Sequence, residues 1–186
     1  YNMATQQREL KKRQEIPSGF DASRHEVQRR VAPVRDGVQV PVSILLRRGT
    51  RLDGSNPLLL YAYGSYGFTT EPTFDSNVFS LVDRGMIYAI AHIRGGQEMG
   101  RQWYDDGKML KKKNTFNDFI DVAEFLVKTG YTSADGLVAS GGIRVKPLVA
   151  AARRVDMACS PVQRVAAWPA AKAASSAARI DQTATS

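Results

Sequence analysis

From His25 the chain alternates apolar and polar residues through HEVQRRVAPV and again through VQVPVSILLRR, with Arg35-Asp36-Gly37 between the two runs. A period of two fits strands with one buried face, and an Asp-Gly pair between such runs is hairpin chemistry. The pattern predicts an antiparallel opening. After the loop RGTRLDGSNP, the short continuous apolar run in PLLLYAYG fits a strand covered on both faces. Ser76 to Arg84 then spaces Val78, Phe79, Leu81 and Val82 for a short helix, with Gly85 suited to its C-terminal cap. MIYAIAHI reads as a second buried strand. The clearest helix covers residues 114–129: Asn114 or Thr115 caps it, Phe116, Phe119, Ile120, Ala123, Leu126 and Val127 form one apolar face, and Gly130 ends it. GLVAS is a third strand. Strand, helix, strand, helix, strand predicts an α/β fold with a parallel sheet and helices packed on it.

The two ends of the chain do not share this periodicity. Residues 1–15 are polar and charged and read as a linker, and Pro17, Ser18 and Gly19 separate it from the first strand. From Ile143 the pattern breaks again: 13 of the 43 residues from 144 to 186 are Ala, and prolines interrupt at 147, 161 and 169. That segment reads either as a surface helix with a mobile tail or as a stretch foreign to the fold before it.

Composition narrows the function classes. With 43% hydrophobic and 24% charged residues the chain is that of an ordinary globular protein. No stretch approaches the roughly 18 apolar residues of a membrane span. The N-terminal residues lack the apolar core of a secretory signal, and a lone Cys159 leaves no intramolecular disulfide, so a cytoplasmic location is expected. The net charge of +8 falls mostly after residue 142, where seven Lys or Arg face only Asp156 and Asp181. With Trp168 the one aromatic residue there, this is not the basic, aromatic-interleaved groove that binds nucleic acid. Two distant histidines and one cysteine have no metal-ligand spacing, and no cofactor is expected.

Candidate chemistry sits where the apolar strands end, because functional groups of α/β sheets gather at the carboxyl ends of the strands. YAYGSYGF, Tyr61 to Phe68, leaves one strand through a Gly-rich turn. Tyr63 there either presents its hydroxyl to a developing oxyanion or packs as an ordinary turn aromatic. AHIRGGQEMGRQWYDDGK, Ala91 to Lys108, leaves the next strand through the sharp turn at Gly95-Gly96, with Arg94 expected to be held by Glu98, Asp105 or Asp106. This Gly-Gly pair is not a dinucleotide-binding fingerprint. His92 reads as a satisfied core histidine, and His25 has no evident partner.

Together with LKKKNTFNDFIDVAEFLVKTGYTS, these motifs resemble the hydrolase domain of the oligopeptidase B branch of the prolyl oligopeptidase family of serine peptidases. The resemblance extends over about residues 1–142. It implies a partial α/β-hydrolase fold, the front half of a mostly parallel sheet with flanking helices, over residues 16–142, preceded at 1–15 by the exit of a β-propeller. It further implies hydrolysis of short basic peptides after Arg or Lys through an acyl-enzyme. By the same resemblance Tyr63 takes the position of the oxyanion-hole hydroxyl, and Glu71, in FTTEPTF, keeps one of two acidic positions for binding a basic side chain. Thr73 replaces the other.

The nucleophile is where the resemblance stops. The family continues its third strand into a G-x-S-x-G elbow; here Gly141-Gly142 is followed by Ile143, and Val145 replaces a further glycine. Isoleucine has no group that attacks a carbonyl. No other serine has that context, and no histidine follows His92, so the triad Asp and His are missing as well. Loss of a triad member costs on the order of 10⁴ in rate. The chain is therefore expected to be an inactive fragment of a peptidase. The basic segment 143–186 has the Ala, Arg, Pro and Ser content of out-of-frame translation of GC-rich DNA, or of a disordered tail. The alternatives are a non-catalytic module that pairs with a full-length homologue, or a truncated product prone to aggregate.

Overall fold

The computed structural model describes residues 1–13, 15–17 and 19–141. Ile143, and with it the nucleophile position and the segment 143–186, lies outside the described residues. Among the described residues five strands form one sheet: β1 (His25–Pro33), β2 (Gln39–Arg47), β3 (Leu58–Ala62), β4 (Ile87–Ala91) and β5 (Leu137–Gly141). Among the described residues three α-helices accompany them: α1 (Ser76–Asp83), α2 (Arg101–Asp105) and α3 (Lys112–Lys128).

The hairpin expected from the period-two runs is present. β1 and β2 pair antiparallel from His25↔Arg47 to Pro33↔Gln39. Val34 N donates to Val38 O (3.0 Å), and Gly37, at φ +81°, supplies the left-handed residue that closes the turn. The strand order is β1-β2-β4-β3-β5. β4, β3 and β5 run parallel, whereas β2 joins β4 antiparallel, so the sheet is mixed.

Parity along β4 separates the two faces. Ile87, Ala89 and Ala91 share one buried core with Phe119, Val122, Ala123 and Leu126 of α3. Each large side chain withdrawn from water this way contributes about 1.5–3 kcal/mol. Tyr88 and Ile90 point the other way, where α1 packs on β4 and β2 and buries Val82 completely. α1 starts at Asp75, whose carboxylate accepts from Asn77 N, and Gly85 follows its end at φ +94°.

α3 begins two residues earlier than its sequence suggests, and neither Asn114 nor Thr115 caps it. Its N-cap is Lys111, the last residue of a 3₁₀ turn over Met109–Lys111 that leads directly into the helix. Asn114 Nδ2 instead donates to Asp106 O (3.0 Å), and the buried Thr115 hydroxyl donates to Arg94 O (2.7 Å). Both polar side chains serve the preceding loop. The helix ends at Thr129 and Gly130, as the glycine predicts.

Candidate active site

The chain leaves β3 toward β4 and then returns past β3 to form β5, which brings the carboxyl ends of β3 and β5 side by side. Such a reversal of strand order opens a crevice beyond the strand ends. Ala62 is in register with Gly141, so Tyr63 stands one residue beyond β3 beside the end of β5, the strand that leads in sequence to position 143. Tyr63 is half-buried, and its ring meets Phe68 edge to face with centroids 5.5 Å apart.

The turn that carries Tyr63 is locked to the turn after β4 by backbone contact. Gly67 N donates to Gly95 O (3.0 Å), and Gly95 N donates to Trp103 O (3.0 Å). A Cβ at Gly95 would fall 2.2 Å from the Gly64 carbonyl oxygen, and one at Gly107 would fall 2.1 Å from Gly95 N. Only glycines permit this approach. Lys112, at the start of α3, donates from Nζ to Gly64 O and to Ser65 Oγ (2.8 Å), so a cation is anchored on the two residues that follow Tyr63.

Arg94 anchors the second turn, through partners other than those the local sequence suggests. It is buried and donates to Asp118 from Nε (2.9 Å), Nη2 (2.5 Å) and its own backbone N (3.0 Å), while Nη1 pairs with Asp36 (2.7 Å). Glu98, Asp105 and Asp106 are engaged elsewhere. Asp105 pairs with Lys108 and Arg101, Asp106 with Lys111, and Glu98 accepts from Thr70 N. The hydrogen bonds to Asp118 chiefly hold the Arg94 guanidinium above its ordinary pKa. Burial pushes the Asp36 carboxyl up, but hydrogen bonds from Arg94 and Val38 N outweigh it and leave Asp36 below the usual carboxylate value. Arg35 makes a parallel clamp, donating to Asp121 from Nε (3.0 Å) and Nη2 (2.5 Å). The hairpin turn is thereby tied to both α3 and the site loop.

Both histidines differ from their sequence reading. His92 is buried and its Nε2 is 2.8 Å from Ser43 Oγ, but its Nδ1 has no hydrogen-bond partner among the described residues and stands 3.9 Å from Glu98 Oε1. It is half satisfied. His25 does have partners: Nε2 is 3.0 Å from Asp83 Oδ1, Nδ1 is 3.1 Å from Asp21 O, and its ring stacks on Phe20 and meets Phe79 edge on. Glu71 is exposed on the span between Phe68 and Phe74. That span is pinned by Phe68 on Tyr63, by Thr70 N on Glu98, and by Phe74 on Phe79 (centroids 4.8 Å apart). Tyr63 and Glu71 thus share one fastened loop.

Asp118 and Asp121 are the residues that sequence reading missed. Their signal was visible: Thr115, Asp118 and Asp121 repeat at three-residue spacing beside the apolar face of α3, and a polar row there calls for buried partners. Among the described residues no helix is long and apolar enough to cross a membrane, and no group of three or more His, Cys, Asp or Glu is placed to hold a metal ion.

Known proteins share this arrangement over the same part of the chain. Residues 72–142 match the model of the prolyl oligopeptidase family. Dipeptidyl aminopeptidase BI of Pseudoxanthomonas mexicana is 52% identical over 142 residues, which are 76% of this chain and 20% of that protein. Protease 2 of Moraxella lacunata is 39% identical over 141 residues, again 76% of this chain and 20% of the relative. The structure of oligopeptidase B from Leishmania major superposes with a TM-score of 0.66 at 45% identity, covering 68% of this chain and 18% of that one. The chain spans about a fifth of the length of the curated relatives it matches. Over that span it matches the prolyl oligopeptidase family of serine peptidases and has the fold of part of that family's α/β-hydrolase domain.

Proposed function

We propose that this chain supplies the oxyanion side of a serine oligopeptidase active site and does not itself hydrolyse peptides. The family reaction would be cleavage of short peptides after Arg or Lys through an acyl-enzyme, with the Tyr63 hydroxyl donating to the tetrahedral oxyanion. The observation that carries the reading is the register of Ala62 with Gly141, which sets Tyr63 beside the strand leading to the nucleophile position. Electrostatic stabilisation needs a donor that is already in place, and the glycine contacts and Lys112 fasten the Tyr63 turn before any substrate arrives. Glu71, exposed on the adjoining span, would face a basic side chain of the peptide.

Position 143 carries isoleucine, so no acyl-enzyme forms there. Incubation of the chain with an Arg-Arg chromogenic peptide and with a serine-directed fluorophosphonate is expected to give neither turnover nor labelling. Either signal would overturn the inactive reading.

A further inference from the structure

Where the loop after β3 meets the turn after β4, three buried side-chain atoms have no hydrogen-bond partner among the described residues: Thr70 Oγ1, His92 Nδ1 and Glu98 Oε2. They belong to one cluster. Thr70 N donates to Glu98 Oε1 at 3.0 Å, and His92 Nδ1 lies 3.9 Å from that same oxygen, too far for a direct hydrogen bond. The His92 side chain is 4% exposed and that of Glu98 is 9% exposed, so bulk water does not serve them. Glu98 reaches this position because residue 96 is glycine; a Cβ there would sit 2.1 Å from Oε2.

Leaving three polar atoms dry is costly, and native interiors ordinarily fill such gaps with a water that makes two to four hydrogen bonds. Donors and acceptors here fit a single water. With His92 Nε2–H donating to Ser43 Oγ (2.8 Å), Nδ1 is left as an acceptor. A water would donate one hydrogen to His92 Nδ1 and the other to Glu98 Oε2, and accept the Thr70 hydroxyl proton. A metal cation is a poorer match, because it would meet one carboxylate with a neutral nitrogen and a hydroxyl, and hard cations prefer oxygen ligands in larger number.

We propose that Thr70, His92 and Glu98 enclose a site for one structural water, which fastens the loop after β3 to the turn after β4. Glu98 then acts as a positioning residue for the loop that carries Tyr63 and Glu71, independently of whether position 143 is reactive.

The test compares Thr70→Val, which keeps the shape and removes the hydroxyl, with Thr70→Ser, which restores it, both in the full chain. Oxygen-17 magnetic relaxation dispersion counts long-lived internal waters. The count is expected to fall by one in T70V and to match wild type in T70S; an unchanged count in T70V overturns the proposal. A high-resolution crystal structure of the wild-type chain decides the matter without any variant. A single peak about 2.7–3.2 Å from all three atoms supports the site. Direct pairing of Thr70 with His92 or Glu98, an empty gap, or a peak replaced by thallium on exchange from potassium would each overturn it.

Discussion

The two ends of α3 are built on different physics. At the end near the candidate site the helix buries Thr115, Asp118 and Asp121 beside Phe119 and Ile120, and its charged partners are Arg94 and Arg35. At the far end it buries Val122, Ala123 and Leu126 and passes to Tyr131, whose hydroxyl accepts from the exposed Arg30 Nε (2.9 Å), and to Thr132, where the hydrogen bonds are neutral: Thr132 Oγ1 to Asn56 O (2.7 Å), Gly54 N to Gly130 O (2.8 Å) and Leu58 N to Gly136 O (3.0 Å). Burying charge is expensive, and replacing a buried ion pair with well-packed apolar residues is often neutral or stabilising. The site end is therefore not organised for maximal stability. Its directional contacts fix where the Tyr63 turn and the Arg94 loop lie, while Phe119, Val122, Ala123 and Leu126 supply the apolar burial that holds the helix on the sheet.

The comparison breaks most sharply at Asp118. Asp118→Ala strands a buried guanidinium with Asp36 as its remaining carboxylate, and a loss of about 3–5 kcal/mol is expected in urea unfolding. The double variant Arg94→Met/Asp118→Leu should recover most of that loss, whereas a double variant as unstable as D118A would mean that the pair itself stabilises the fold. Gly95→Ala comes next. Gly37 has a positive φ and open space around its Cβ position, so Gly37→Ala should cost roughly 1 kcal/mol from backbone conformation alone. Gly95 has a positive φ and a carbonyl oxygen in the way, so G95A should cost distinctly more in the same measurement. Equal losses would show that the two turns are not locked by close approach. At the neutral end, Thr132→Val removes one hydroxyl from a half-buried carbonyl, and about 1 kcal/mol is expected.

The division between the ends also marks what the sequence discloses. The hairpin, the three apolar strands, α1 and the C-terminal end of α3 follow from periods of 2 and 3.6 and from glycine positions, all local signals. The Tyr63 turn was legible for the same reason, since it comes directly after a strand. Partner choice at the charged end was not. Arg94 takes Asp118, 24 residues away, over the nearer Glu98, Asp105 and Asp106, and His25 takes Asp83 across 58 residues. Spacing along a chain describes one face of one element, and such pairs exist only once distant elements have come together: the β4 loop with α3 for Arg94 and Asp118, and β1 with the end of α1 for His25 and Asp83. The start of α3 was misplaced because Thr115 has the chemistry of a cap but spends its hydroxyl on the Arg94 carbonyl.

Acid and base should separate the charged clamp from the sheet face under α1, with the smallest effects of the set. The Asp36 carboxyl is held below its usual pKa in the fold, so the unfolded chain binds its proton more readily. Its contribution is present above the unfolded carboxylate value and is lost as pH falls through the folded one. Since Asp36 is partly exposed, the loss should be modest and weakened by salt. Tyr88 acts in the opposite direction. Burial, reinforced by Tyr61 and Asp75, pushes its hydroxyl to about 12 from an ordinary 10.0. Its contribution is complete below pH 10, the unfolded value, and disappears as pH rises through about 12. Tyr88→Phe should therefore flatten the alkaline limb of the stability profile between those values and leave the acid limb unchanged, and Asp36→Asn should do the reverse. If Y88F altered the acid limb instead, the charged clamp on the α3 side and the sheet face under α1 would be coupled, and the clamp could not be treated as acting on one side of the sheet alone.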